Sequence, residues 1–447
     1  MSHLEPRQRK ALAGVRRLIS SHDQGDVEQG LALLEATQDS DLWAIFGQGL
    51  SVDEEGQIEI AKGCEVHRRV RASHRQQVAF WALAATGGLR SIRTLHLSGC
   101  AWLESLDGLR GCRELTHLFL MTCTNLRSID GLAECPRLED LQLYGCDVLE
   151  SLDGLGGHTH LRYLRLQHCP MLRSTAPVEG CTGLDYLDLI NCFELTELEG
   201  LQDSQALTQV RIHGCRSLRS LDGLRLCEKL IHVDLLENLA LESIEGLRAS
   251  PHLETVKINT SPRLDNIEAL RGGTQIERLW LVRCGSLRNL EPLRDHPALK
   301  TVSLTGCNSL ESLDGLQGSA QLKELWITRC DSLENLHGLE GCTELNTLRA
   351  CECSSLQTLA GIQNCPSLFS LALGHSKALE SLDGLQGCPR LRDLSLSGCS
   401  SLRDISALQS CTHLRSVTLQ GCSQLPPALQ RDFRSHKALQ TTLRTLD

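Results

Sequence analysis

The chain has 447 residues, a formal net charge of −10 and only 3% aromatic residues. Its acidic balance disfavours a general affinity for nucleic acid or for an anionic membrane surface. The segment Met1–Glu5 lacks the apolar core of a signal peptide, and no run of 18 apolar residues is present to cross a bilayer. We therefore expect a soluble, cytoplasmic protein without a membrane partner.

Residues 1–91 are predicted to form a small, mainly helical domain that caps the rest of the chain or connects it to a second component. Apolar residues at helical spacing indicate a first helix around Ala11–Ile19 and a second around Val27–Leu34. A further helix is expected from about Val66 to Ala85, after a turn with a short strand at Ser51–Ile60. Because the domain is larger than a cap requires, a second role is open.

A basic run at His67–Arg75 is the one signal for nucleic acid in the sequence. The preferred interpretation is the solvated face of a helix, because Asp53, Glu54, Glu55 and Glu59 offset the charge. Phosphate binding is the alternative. Nucleic acid is therefore not among the expected partners.

From Ile92 onward the chain repeats every 23 residues without an insertion or a deletion. Each repeat reads L-x-x-L-x-L-x-x-C-x-x-L-x-x-L-x-G-L-x-x-C-x-x, and 14 full repeats and a partial one occupy residues 92–425. A fixed period of this length indicates a stacked solenoid, in which no repeat buries its apolar side alone. The alternation in L-x-x-L-x-L predicts one short strand in each repeat and a parallel sheet across the stack.

The second half of each repeat carries a turn signal such as Asp107-Gly108. An isolated Asp-Gly pair can look catalytic, but its recurrence makes it structural. About six residues are left for this side of the repeat, which favours a short 3-10 or irregular turn over a full helix.

Nearly all of the 22 cysteines fall into two columns of the repeat. Position 9 holds twelve of them, position 21 holds eight, and only Cys64 and Cys351 lie elsewhere. Where position 9 is not cysteine it is Asn238, Ser261 or Ser376, each able to donate a hydrogen bond. This exchange predicts an internal ladder of donors to backbone carbonyls, built from reduced and inert thiols.

The pattern resembles the leucine-rich-repeat family over residues 92–425. The short 23-residue repeat is similar to those of internalin-like bacterial proteins, with cysteine at the ladder position. The segment Leu394–Leu402 is also similar to repeats of plant immune receptors. The resemblance implies an α/β-type solenoid bent into an arc, with a parallel β-sheet on the concave face and short 3-10 or irregular turns on the convex face. It implies a habit of binding proteins but no particular ligand.

Residues 426–447 are predicted to form a C-terminal helical cap. The pair Pro426-Pro427 is expected to open one amphipathic helix, because proline is favoured at the first turn. The residues expected to face inward are Leu429, Phe433, Leu439 and Leu443.

Positions 3, 5, 7 and 8 of the repeat are expected on the concave face, where side chains that depart from the repeat become visible. Aromatic residues there are not needed to hold the stack, and they enrich the centres of binding interfaces. The first predicted partner-binding patch comprises Trp280, Trp326, Arg278, Arg283, Arg329, Arg349, Glu324 and Glu352. The second comprises Phe119, Tyr144, Tyr163, Arg165, Tyr186 and Asp188.

No motif of a known catalytic or metal site is present in the sequence. Cys351 is expected to face outward and Cys353, at ladder position 9, to face inward, so the two thiols should diverge and not chelate. We predict no catalytic residue, no metal and no cofactor. The predicted function is a monomeric, non-enzymatic scaffold that binds a protein partner. One alternative is a ligand-sensing immune-type receptor or an adaptor whose N-terminal domain couples to an effector; another is a secreted adhesin.

Overall fold

A computed structural model describes residues 4–37, 39–62, 64, 66–67, 70 and 72–444. The chain consists of two compact bodies. The first body comprises Met1–Leu195 with Glu199–Ala206, and the second comprises Thr196–Leu198 with Leu207–Asp447. The predicted domain boundaries after residues 91 and 425 stay predictions.

The first body begins with helices and one hairpin. The helices are α1 (Pro6–Ile19), α2 (Gln24–Ala36), α3 (Ser40–Gly47) and α4 (Arg75–Thr86), and the antiparallel hairpin is β1 (Leu50–Val52) with β2 (Ile58–Ile60). The first two helices confirm the apolar periodicity, since Leu12 and Val15 of α1 and Val27 and Leu34 of α2 are buried in one core.

The last of the predicted helices is interrupted. Val66 and His67 are helical, but a 3-10 turn at Ala72–His74 follows, and α4 begins at Arg75. The Arg75 guanidinium explains part of this, because it donates hydrogen bonds to the carbonyl oxygens of Val70 (3.0 Å) and His67 (2.7 Å). These carbonyls are thus satisfied without helical bonds.

The basic run therefore has a partly structural role. Arg75 holds the backbone, and His74 is buried, with 9% of its surface exposed. Arg68, Arg69 and Arg71, which carried the phosphate-binding alternative, lie outside the described residues.

The β1–β2 hairpin covers the first strand of the repeats. Gly56 at its turn accepts a hydrogen bond from the backbone nitrogen of His96 at 2.8 Å. Its φ is +84°, and a Cβ atom there would lie 2.9 Å from the backbone nitrogen of Leu95. Only glycine permits both the conformation and the close approach. The hairpin thereby protects an edge that would otherwise be open to pairing with another chain.

Each repeat contributes one strand. In the first body these are β3 (Thr94–Ser98), β4 (His117–Met121), β5 (Asp140–Tyr144), β6 (Tyr163–Gln167) and β7 (Tyr186–Ile190). In the second body they are β8 (Gln209–His213), β9 (His232–Leu236), β10 (Thr255–Asn259), β11 (Arg278–Val282), β12 (Thr301–Ser303), β13 (Glu324–Trp326), β14 (Thr347–Arg349), β15 (Ser370–Ala372), β16 (Asp393–Ser395) and β17 (Ser416–Thr418). Within each body successive strands pair in parallel, and each residue lies beside its equivalent 23 residues later. The predicted parallel sheet is confirmed.

The side of each repeat opposite the strand is a short 3-10 turn in most repeats, as predicted, for example at Asp107–Leu109. Position 17 is usually glycine, and the reason at Gly246 is steric. A Cβ atom there would lie 1.7 Å from the carbonyl oxygen of Leu221 in the preceding turn. The turns of neighbouring repeats therefore stack with direct backbone contact.

The donor ladder at position 9 is confirmed at Cys307, Asn238 and Ser376 but not at Ser261, whose buried hydroxyl has no hydrogen-bond partner among the described residues. The thiol of Cys307 donates to the carbonyl oxygen of Leu281 at 2.9 Å, and the amide of Asn238 donates to the carbonyl oxygen of Ile212 at 2.8 Å. Donor and acceptor are 26 residues apart in each case. All 22 cysteines are free.

The C-terminal segment differs from the single helix predicted. Pro427–Leu429 is a 3-10 turn, β18 (Asp432–Phe433) pairs antiparallel with β17, and only His436–Leu443 forms the helix α5. Ser435 caps α5 by accepting a hydrogen bond from the backbone of Ala438 at 3.2 Å. The prediction missed that Phe433 reaches the core from a strand, which closes the last edge of the sheet.

Candidate binding face

The exposed face of the sheet follows directly from the alternation within each strand. In β11, Leu279 and Leu281 are fully buried, whereas Arg278 is exposed and Trp280 is half-buried. Positions 4 and 6 of the repeat therefore form the core, and positions 3, 5 and 7 form the opposite face.

Position 8 does not continue the strand geometry. All fifteen residues at this position have a left-handed backbone, with φ between 52° and 78°. Six are glycine, which was the sequence signal for this bend, and nine carry a side chain. The nine are Thr122, His168, Asn191, Glu237, Thr260, Arg283, Arg329, Glu352 and His375. Arg283, Arg329 and Glu352 thus project from the bend that follows each strand.

Trp280 and Trp326 lie on either side of Ser303 in one column of the second body. Strands are about 4.8 Å apart, so the two backbone positions are separated by roughly 10 Å. Both indoles are half-buried, and Ser303 between them is only 3% exposed. The Lys257 ammonium nitrogen lies 5.2 Å from the centre of the Trp280 ring. The two rings thus form an apolar ridge with a cation at one end.

The charges around this ridge are not all available to a partner. Arg278, Arg283 and Arg349 are exposed. The Arg329 guanidinium instead forms an ion pair with Glu352, with 2.8 Å between nitrogen and oxygen. This exposed pair engages Arg329 with Glu352, whereas the other three arginines of the patch form no ion pair with the described residues.

The second patch, in the first body, is organised around Arg165. Tyr163 and Tyr186 are neighbours in register, with their ring centres 6.5 Å apart. The Arg165 guanidinium lies 5.8 Å from the first ring centre and 5.3 Å from the second. This is a compact cluster in which a cation is already held by two aromatic faces.

Asp188 does not belong to an exposed patch. Its side chain has no exposed surface, and it accepts a hydrogen bond from the amide of Gln167 at 3.0 Å. Its assignment as a partner-contacting residue is corrected, because a buried and hydrogen-bonded carboxylate cannot reach a partner.

Tyr144 and Phe119 do not pack against Tyr163 and Tyr186; their rings contact histidines instead. Tyr144 is 39% exposed and packs edge-on against His168, with ring centres 5.1 Å apart. Phe119 lies 4.2 Å from His96 and 6.3 Å from His117, measured between ring centres. Burial lowers the pKa of His96, although Asp53 and Glu55 act in the opposite direction. These histidines were not among the residues predicted for the patch.

A second internal ladder was also missed. Cysteine at position 21 can donate to the carbonyl at position 18 of the preceding repeat, as when the Cys181 thiol donates to Leu155 at 3.3 Å. Ser204 and Ser250 instead donate to the carbonyls of Cys181 and Cys227. His296 replaces cysteine in this column and its Nε2 lies 2.8 Å from the carbonyl oxygen of Leu270. The signal was the recurrence of Cys, Ser and His at position 21, all of which can donate.

The structure places no metal site at the unusual cysteine pair. Cys353 is fully buried and donates to the carbonyl oxygen of Ile327, whereas Cys351 is half-buried. The divergence of these two thiols stays a prediction. In the described part of the chain, no three His, Cys, Asp or Glu side chains are placed to hold a metal ion.

Comparison with known proteins agrees with this geometry. No protein-family profile and no curated protein sequence matches the chain. The functional domain of InlJ from Listeria monocytogenes, which includes a cysteine ladder, is 20% identical with a TM-score of 0.50. The match covers 74% of this chain and 70% of that one. This chain has the leucine-rich-repeat fold.

Other leucine-rich-repeat structures match at similar levels. The TLR13–ssRNA13 complex is 19% identical with a TM-score of 0.54, and the match covers 77% of this chain and 55% of TLR13. The internalin InlF from Listeria monocytogenes is 16% identical with a TM-score of 0.49, covering 74% of this chain and 88% of its own. The TLR13 match supports the shared fold and shows no shared ligand. Along the residues described, no helix has the length and apolar content that a bilayer span requires.

Proposed function

We propose that this chain is a non-enzymatic scaffold whose sheet face binds a protein partner around Trp280 and Trp326. The observation that carries the proposal is the ridge of two half-buried indoles that shields Ser303. Tryptophan and arginine dominate the energetics of protein interfaces, and Arg278 and Arg349 are exposed beside the ridge. A partner with apolar side chains and carboxylates fits this combination.

A nucleic-acid ligand deserves comparison because TLR13, which shares the fold, is in complex with single-stranded RNA. Stacking on tryptophan and contact with arginine would also suit single-stranded RNA. Against this, Glu324 lies on the same strand as Trp326, and Glu352 already neutralises Arg329. The net charge of −10 adds a general repulsion of phosphates. We therefore favour a protein partner.

The test is quantitative capture of partners by the full chain, with the double variant Trp280→Ala/Trp326→Ala beside wild type. Truncation of a hot-spot residue costs about 2 kcal/mol or more, so a partner held at this ridge should bind at least about thirtyfold more weakly. Near-identical unfolding midpoints would establish that the variant retains its fold. Undiminished capture by the folded double variant would contradict the proposed site.

The matched control is Tyr163→Ala/Tyr186→Ala, which removes two aromatic rings from the same face in the first body. Capture should survive this change if the ridge is the site. Loss with the tyrosine variant alone would move the site to the Arg165 cluster. A labelled single-stranded RNA, titrated at low salt, should show no binding that depends on the two tryptophans.

The cellular setting forms part of the proposal. The ladder thiols donate to carbonyl oxygens and all of the cysteines are free, which suits a reducing compartment. We place the protein in the cytoplasm as a monomer. Recovery of the native protein with disulfide-linked cysteines would contradict this placement.

A further inference from the structure

A cavity of about 600 Å³, open to solvent, lies at the surface of the first body, between α2, α4 and the segment that follows β3. Three of the five tryptophans of the protein line it: Trp43, Trp81 and Trp102. A volume of this size accommodates a small organic ligand. The cavity is separate in sequence and in chemistry from the sheet face discussed above.

The aromatic wall is held in place by packing. The Phe80 ring contacts Trp81 edge-on with ring centres 5.3 Å apart, and it contacts Trp102 at 5.6 Å. Gly108 makes this possible, because a Cβ atom at that position would lie 2.7 Å from the Phe80 ring. The first 3-10 turn therefore sits directly against α4, and the two indoles are fixed before any ligand arrives.

The polar part of the lining is strongly acidic. Its charged groups are the carboxylates of Glu28, Glu35, Glu104 and Asp107 and the guanidinium of Arg110. Arg110 is already paired with Asp107, at 2.8 Å between nitrogen and oxygen. Among the residues that the structure describes, no basic side chain pairs with the other three carboxylates. The cavity thus combines indole rings with an excess of negative charge on exposed side chains.

From this combination we infer that the cavity binds an organic cation, specifically an alkylated ammonium group. The face of an indole ring attracts a cation, most strongly when the cation is removed from water. An alkylated ammonium is cheaper to desolvate than a primary ammonium, because fewer of its contacts with water are hydrogen bonds. The carboxylates attract the same charge and repel anions, so the two features select one class of ligand.

Choline and 3,3-dimethylbutan-1-ol provide the test, because they share a shape and differ in charge. We expect choline to quench the tryptophan fluorescence of the full chain saturably. The neutral isostere should bind about tenfold more weakly, as a cation–π contribution of this kind implies. Equal binding of the two would show that the cavity recognises apolar shape and not positive charge, and would overturn the inference. Absence of saturable choline binding at tens of millimolar would overturn it as well.

Two variants locate the binding site. Trp102→Leu keeps apolar volume but removes an aromatic face, and Glu104→Gln keeps shape but removes charge from an exposed residue. Each should weaken choline binding several-fold. The matched controls, Phe369→Leu and Glu311→Gln, remove an aromatic ring and a charge in the second body and should leave binding unchanged. Wild-type affinity in both cavity variants, or equal losses in the controls, would contradict this site; Glu104→Gln remains informative if Trp102→Leu does not fold.

Discussion

The Cys353 thiol donates a hydrogen bond to the carbonyl oxygen of Ile327 at 3.0 Å, across 26 residues of sequence. Ser376, which occupies the same position in the next repeat, makes the equivalent bond to Ala350 at 2.9 Å. Each of these carbonyls lies at the inner bend after a strand, where no strand partner is available. In these repeats the ladder therefore satisfies a buried backbone group with one small donor.

Removing one donor of this ladder should lower the free energy of unfolding substantially, whereas replacing it with another donor should lower it much less. Cys353→Ala leaves the buried carbonyl of Ile327 without a donor, which is expected to reduce the free energy of unfolding by about 1–3 kcal/mol. Cys353→Ser keeps a donor of similar size and should lose clearly less. Urea-induced unfolding, followed by circular dichroism, measures both. Equal losses in the two variants would show that the packing of sulfur, and not its hydrogen bond, stabilises the position.

The 23-residue period was sufficient to predict the strand in each repeat, the parallel register and the ladder. The chain repeats the same pattern of apolar and hydrogen-bonding residues many times, so each repeat supports the structure predicted for the others. The ends have no such redundancy. Phe433 was assigned to a helix because its apolar spacing suits one, but the open edge of β17 competes for the segment and pairs with it. A tertiary contact of this kind leaves no periodic signal in the sequence.

A single methyl group on the turn side should test how tightly the repeats stack. Gly246→Ala would place its Cβ 1.7 Å from the carbonyl oxygen of Leu221, so the backbone must shift, at a cost of about 2–3 kcal/mol in stability. Gly285→Ala is the matched control, because nothing lies within 4 Å of its Cβ position. That change should stay within about 0.5 kcal/mol. Chemical denaturation of both variants gives the comparison.

The approach of neighbouring turns varies along the stack. Ala269 occupies the same column as Gly246 one repeat later, and a Cβ at Gly384 in this column would lie 2.7 Å from the nearest carbonyl oxygen. Loss of stability at Gly246 comparable to that at Gly285 would mean that the turns relax freely around the extra atom.

Buried thiols should make the protein sensitive to alkali. Burial raises the pKa of Cys353 to about 12, of Cys227 to about 12 and of Cys181 to about 11. In the unfolded chain a thiol ionises near pH 8.5, so only the unfolded state loses protons between that value and the folded pKa. Stability is then complete below pH 8.5 and falls as the pH rises towards 11–12.

The expected loss is on the order of 1 kcal/mol per buried thiol for each pH unit in this window. Urea midpoints at about pH 7, 9 and 10 under reducing conditions measure it. Cys353→Ser should make the slope slightly shallower, because one ionising group is removed. A midpoint that is constant up to about pH 10 would contradict the assigned burial of the ladder thiols.

The same burial predicts which thiols react in the native state. Cys64 and Cys351 are half-buried, and the other 20 cysteines are buried. A thiol reagent at neutral pH should therefore modify at most these two in the folded chain and all 22 in denaturant. Mass spectrometry of the modified peptides identifies the sites. Rapid modification of any position-9 cysteine would show that the solenoid opens locally.

The sequence was sufficient to predict which side chains lie on the exposed face of the sheet, but not which of their charges are available to a partner. Alternation places Trp280, Trp326 and Arg165 on the exposed side, and the structure agrees. Which charges remain open depends on contacts between neighbouring repeats. Arg329 finds Glu352 one repeat away, and Asp188 is covered completely. The cavity beside Trp102 was invisible in the sequence, because its walls come from segments far apart in the chain.

The bend after each strand stores strain that one substitution should release. Thr260 has a φ of 61°, and a β-branched side chain is disfavoured in the left-handed region by about 1–2 kcal/mol. Thr260→Gly removes this cost. Part of the gain is lost because glycine increases the conformational entropy of the unfolded chain, so the free energy of unfolding should rise by a net value of about 0.5–1 kcal/mol. Thr255→Gly, on the preceding strand β10, should instead lose about 0.5–1 kcal/mol, because extended threonine is favoured there. Unfolding midpoints that move in the same direction for both variants would show that the bend is not strained.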